Sequence, residues 1–150
     1  MATQYTAGLA QGQVLTAAIM NQIGAVWEPW TPTITQNVNV TYTNQTSRYG
    51  QVQKIVVAQT YMTITGAGTG ANNIEVSLPL SANIANLICA QGFMYDASAA
   101  QVYVLTGLTS GNTKAIFYTT NASASAFGQS PNIALAVNDQ LRLQFMYEAA

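Results

Sequence analysis

The chain has 150 residues, one domain's length, and only 6% of them are Asp, Glu, Lys or Arg, leaving a net charge of −1. Ordinary soluble domains carry about 25% charged residues, so neither phosphate backbones nor acidic membranes find an electrostatic footprint here. With no His and a single Cys, Cys89, an internal disulfide framework, the usual Cys/His zinc site and a His-dependent triad are excluded, and neither metal nor cofactor is expected.

Residues 1–12 are small and polar, a lead-in without the basic start and continuous apolar core of a signal peptide. Thr16 then suits an N-cap, and Leu15, Ile19, Ile23 and Trp27 recur every fourth residue with Val26 beside them. That spacing predicts a short amphipathic helix, weakened at Gly24 and stopped by Pro29 and Pro32. A helix of about three turns is marginal alone, so it must dock on its own sheet or on another protein. Residues 1–30 are therefore read as an arm. Its candidate attachment and oligomerisation residues are Leu15, Ile19, Ile23, Val26, Trp27 and Trp30.

From Thr33 the period changes to two, and residues 31–150 are read as one β domain. "NVNVTYT" sets Val38, Val40 and Tyr42 against Asn37, Asn39 and Thr41, and "VQKIVVAQTYMTIT" reads as one long strand apolar on both faces. "GAGTGANN", Gly66 to Asn73, has no Lys and is followed by a strand, not a helix, so it is read as a hairpin loop and not a phosphate cradle. "IEVSL" alternates, and "NLICAQGFMY" (with Cys89 expected as a buried thiol), "QVYVLTG" and "TKAIFYTT" follow as strands. The last strand, "QLRLQFMYE", sets Leu141, Leu143, Phe145 and Tyr147 against Arg142, Gln144 and Met146.

The expected fold is all-β, a jelly-roll-like antiparallel β-sandwich preceded by one short N-terminal α-helix. Strands apolar on both sides need cover on both sides, which calls for an oligomer. No apolar run reaches the roughly 18–20 residues of a membrane span, so no membrane insertion is expected. The five acids, Glu28, Glu75, Asp96, Asp139 and Glu148, are far apart in sequence, and an enzyme is not expected.

"AGLAQGQVLTAAIMNQIGAVWEPWTPT" resembles the opening of structural proteins of tailed bacteriophages, especially minor tail and fibre proteins of phages of actinobacteria. The matching positions are Gly12, Val14, Leu15, Thr16, Ala17, Met20, Asn21, Trp27, Trp30, Thr31, Pro32 and Thr33. The central region is similar in a Tyr49-Gly50 turn, a Val-rich strand, a Gly loop and "LPL" at Leu78 to Leu80; the ending is similar from Asp139 to Tyr147-Glu148. Such relatives usually place a long shaft before this domain, and here the predicted helix follows a lead-in of about a dozen residues. The resemblance implies a β-sandwich virion protein, commonly homotrimeric, made in the host cytoplasm and bound to other virion proteins, with no catalytic residues. Its role is then that of a minor tail or fibre protein in host recognition, with capsid decoration as the alternative. In a receptor-binding role, the loops "GAGTGANN", "DASAA" and "TTNASASAFGQSPN" present a host glycan or protein contact, with Asn72, Asn73, Asp96, Asn121, Phe127 and Gln129 as the candidate residues.

Overall fold

The computed structural model describes residues 26–120 and 125–150. The helix expected over residues 16–26, with Leu15, Ile19 and Ile23, and the candidate Asn121 lie outside the described residues, except that Val26 is placed and exposed. What is described is all-β. Ten strands run in chain order: β1 (Glu28–Pro29), β2 (Ile34–Gln36), β3 (Val38–Val40), β4 (Tyr42–Val52), β5 (Ile55–Ile64), β6 (Glu75–Ser77), β7 (Ile88–Asp96), β8 (Gln101–Ser110), β9 (Lys114–Tyr118) and β10 (Gln140–Glu148).

They form one antiparallel sheet in the order β1-β4-β5-β10-β7-β8-β9-β6-β2-β3. The sheet is not flat. β3 ends it on one side and β4 lies second from the other end, yet Thr41 alone separates them in the chain. The two ends must therefore meet, which curls the sheet around its core; Thr65 and Gly66 N–H groups both donate to the Thr41 carbonyl at the join. Closing a sheet on itself hides edges that would otherwise pair with other chains.

The last strand follows its alternation throughout. Leu141, Leu143, Phe145 and Tyr147 are buried, and Arg142, Gln144, Met146 and Glu148 face outward. Its neighbours repeat the pattern, burying Val56, Ala58, Met62 and Ile64 of β5, Met94 of β7 and Leu105 of β8 in one apolar cluster. Cys89 is buried beside a bulge between Ile88 and Ala90, as its apolar context implied.

Several local expectations are corrected. "VQKIVVAQTYMTIT" is not one strand: Val52 pairs with Ile55 across a two-residue turn in which Gln53 takes φ 53°. Tyr49 and Gly50 do not turn the chain; they lie inside β4, whose eleven residues pair along β5. Gly66–Asn73 is not a hairpin loop either, because β5 pairs with β4 and β10 while β6 pairs with β9 and β2. It is a crossover between the two halves of the sheet. Trp30, read as the end of the arm, packs on the chain's own sheet, one of the two partners the sequence left open. It is buried and meets Phe145 edge-to-face at 5.4 Å, and residues 28–29 already pair with β4. The β unit therefore starts a few residues before the boundary read at residue 31.

Candidate functional site

Two surface features stand out, on opposite halves of the curled sheet. The first is the outer face of β4, β5, β10, β7 and β8. Strand register sets its side chains in rows. One row runs Arg48, Gln59, Gln144, Gln91, Thr106; the next runs Thr46, Tyr61, Arg142, Phe93, Val104. Gln59, Gln144, Gln91 and Thr106 of the first row and Arg142, Phe93 and Val104 of the second line an open trough of about 750 Å³.

In the first row, with the Gln59 amide oxygen toward Arg48, that oxygen accepts from Nε and Nη2 at 2.7 and 2.8 Å. Arg48 also lies 4.7 Å from the centre of the Trp27 ring. In the second row, the Arg142 guanidinium lies 4.3 Å from the Tyr61 ring centre and 5.5 Å from that of Phe93. It donates to Gln140 Oε1 at 2.9 Å. Exposed apolar side chains lie on both sides of the glutamine row. Ile88, Val104 and Met146 are 64%, 61% and 68% exposed, and Ile55, Val52 and Val102 are also exposed.

The second feature is a polar pocket of about 350 Å³ on the β9-β6-β2 half, lined by Thr35, Asn37, Asn72, Asn73, Glu75, Lys114 and Gln129. Thr35 and Glu75 are register partners on β2 and β6. Thr35 Oγ1 and Lys114 Nζ both donate to the same Glu75 oxygen, Oε2, at 3.1 and 2.7 Å. The ion pair leaves the pocket with no net charge from its two ionised groups. Asn37 takes φ 64° in the one-residue turn between β2 and β3, a conformation Asn tolerates better than most residues.

The walls are two loops clamped by a residue the sequence did not point to. Gln36 is fully buried. Its Nε2 donates to the carbonyls of Ile133 at 2.6 Å and Asn72 at 3.2 Å, and its Oε1 accepts from Leu135 N at 2.9 Å. Asn132 Oδ1 accepts from Ala71 N at 2.7 Å, a second tie between the loops. Asn72 Nδ2 donates back to the carbonyls of Thr69 and Gly70. Gly128 completes the join: at φ 97°, with an added Cβ 2.4 Å from the Asn72 carbonyl, no other residue fits without strain. A polar residue on a three-residue strand carries no signal of such a role. Only the long-range pairing of β2 reveals it.

The candidate contact residues thus separate. The structure brings Asn72, Asn73 and Gln129 into one pocket. Phe127 is fully buried and packs on Tyr103 with ring centres 5.2 Å apart, so it builds the core and presents nothing to a partner. Asp96 belongs to its own turn. Its Oδ1 accepts from the N–H groups of Ser98 and Ala99 and from Ser98 Oγ, and these bonds hold its pKa below the usual carboxylate value. Of the attachment candidates, Trp27 is exposed beside Arg48 and Trp30 is not available.

Asp139 shows the opposite balance. It is buried at the start of β10 and accepts from Ala97 N at 2.9 Å and Ala136 N at 2.8 Å. Burial outweighs those bonds and raises its pKa, with a smaller push from Asp96, so the fold brings together two acids that are 43 positions apart in sequence. Among the described residues, no three of His, Cys, Asp and Glu come together to hold a metal ion. No family model matches this chain, and neither a curated protein nor a solved structure matches it.

Proposed function

We propose that this chain is a non-enzymatic structural protein of a tailed-phage particle, a β module that assembles with copies of itself and joins the particle through its N-terminal segment. The observation that carries the reading is the uncovered outer face of β4, β5, β10, β7 and β8. Monomeric soluble proteins rarely leave contiguous apolar patches beyond a few hundred Å² in water. Here exposed Ile88, Val104, Met146, Ile55, Val52 and Val102 share one face with its polar rows. Five strands of nine to eleven residues, spaced about 4.8 Å apart with about 3.4 Å per residue, make a face of roughly 700 Å² in all, polar rows included. A standard protein interface buries about 800 Å² on each partner and is itself apolar only in part, so the whole face is close to the size of one interface. A glutamine row also suits a copy of itself, because a carboxamide both donates and accepts.

The particle setting and the number three come from the resemblance to tail and fibre proteins. In that setting the curled sheet serves as the jelly-roll-like module and a homotrimer is the assembly. The non-enzymatic part is supported by the chain's lack of His. It is also supported by the engagement of Asp96 and Asp139 with backbone N–H groups. Within the particle we place it first as a minor tail or fibre protein in host recognition, since two of the three candidate loops meet at a pocket on the half of the sheet away from that outer face.

Immunogold electron microscopy with an antibody to this chain tests the setting. Gold at the tail agrees with host recognition. Gold over the head replaces that role with capsid decoration. Particles that carry no gold at all overturn the virion reading.

A further inference from the structure

We propose that the pocket between the 66–73 crossover, the 128–133 loop and β2, β6 and β9 binds an uncharged sugar, one to two rings of a glycan. This deepens the recognition role proposed above and rests on it for its biological setting; the binding itself is argued from the pocket alone.

The pocket's groups fix the ligand's chemistry. Thr35 and Lys114 both spend their bonds on Glu75 Oε2, and the other oxygen, Oε1, accepts from no described residue. Lys114 keeps two further N–H donors. Asn72 spends its Nδ2 on the loop and leaves its Oδ1 as an acceptor, while the carboxamides of Asn37 and Gln129 make no bond with a described residue. Asn73 Oδ1 is buried with no partner at all, so this wall holds acceptor capacity that the fold itself does not use.

Charge then narrows the choice. A phosphate or carboxylate would compete for Lys114 against a carboxylate already 2.7 Å away, and a cation would compete for Glu75 against an ammonium at the same distance. The pair balances its own charge, so the pocket holds no excess charge of either sign to attract an ion. What remains is a neutral ligand whose groups donate and accept at once. Hydroxyls do both, and a sugar ring carries several of them. A cavity of about 350 Å³ lies at the small end of ligand pockets, which suits one or two rings. The clamp of Gln36 and Asn132 holds both loops before any ligand arrives, so little ordering is needed on binding.

The test uses the full chain on a glycan array, followed by titration calorimetry with the strongest neutral oligosaccharide. Two substitutions remove pocket carboxamides without touching the clamp. Asn37→Gly keeps the positive φ, and Gln129→Ala truncates an exposed side chain. The double variant should keep the wild-type circular dichroism spectrum and melting temperature and weaken sugar binding at least tenfold. Val137→Ala, at an exposed residue outside both the pocket and the outer face, should leave binding unchanged. An array on which no neutral glycan rises above background overturns the proposal, as does binding that survives loss of the pocket carboxamides or disappears with Val137→Ala. Preference for anionic glycans that survives in Lys114→Met also overturns it. None of these outcomes depends on where the protein sits on a particle, so the sugar site and the virion reading fail separately.

Discussion

Replacing Gln36 by Met removes the clamp while keeping nearly the same side-chain length and volume. Three hydrogen bonds disappear: the buried Leu135 N–H and the part-buried Ile133 and Asn72 carbonyls each lose a partner. A typical bond contributes about 1 kcal/mol net, and each buried polar group left unpaired costs about 1–3 kcal/mol. Part of that is recovered as the two loops relax outward, so a loss of about 3 kcal/mol is expected, equivalent to a fall of about 6–12 °C in Tm for a chain of this size. Urea denaturation should show a lower midpoint with an unchanged slope. Hydrogen exchange should speed up at the amides of Gly68 and Leu135, which hold the two loops together. A loss below about 1 kcal/mol with unchanged exchange at Leu135 would refute the view that Gln36 organises the pocket walls.

The two tryptophans should behave differently. Trp30→Ala opens a cavity against Phe145 and should cost about 3–5 kcal/mol in urea melts, whereas Trp27→Ala, at an exposed ring over Arg48, should cost under about 1 kcal/mol. Asp139 gives a pH dependence of definite sign. Its folded pKa is raised by burial, so the folded state holds the proton more tightly and this group's contribution falls as pH climbs from 3.8 through the raised value. The stability advantage of wild type over Asp139→Asn should therefore shrink across that window in paired thermal melts; an advantage that grows would contradict the assignment. Burial pushes the Cys89 thiol up to about 12, so the native protein should resist a thiol reagent at pH 8 and react fully once unfolded in urea.

The sequence was most informative where a strand has one buried face. β10 alternates without error because Leu141, Leu143, Phe145 and Tyr147 pack inward while their neighbours meet water. It was least informative where pairing overrides composition. β4 contains Asn44, Gln45, Ser47 and Gly50, poor strand formers with no apolar alternation, and is held extended by its register with β5. Turn chemistry around Gly66 marked a loop correctly and its type wrongly, since local residues do not say which strands become neighbours. Phe127 was hidden by its small polar neighbours, although it is fully buried. The pocket was half legible. Asn72, Asn73 and Gln129 were visible as loop residues, but Thr35, Asn37, Glu75 and Lys114 join them only through the β2-β6-β9 pairing, and Gln36 only through its three long-range bonds.

Self-association through the outer face is the central claim, and light scattering coupled to size-exclusion chromatography tests it most directly. The wild-type chain, 15.9 kDa as a protomer, should elute at a multiple of that mass at micromolar concentration, with a trimer expected. Val104→Lys with Met146→Lys places two charges on that face without touching the core and should yield the protomer mass with an unchanged circular dichroism spectrum. A wild-type mass of one protomer, or a multimer that the two lysines leave intact, would contradict the account.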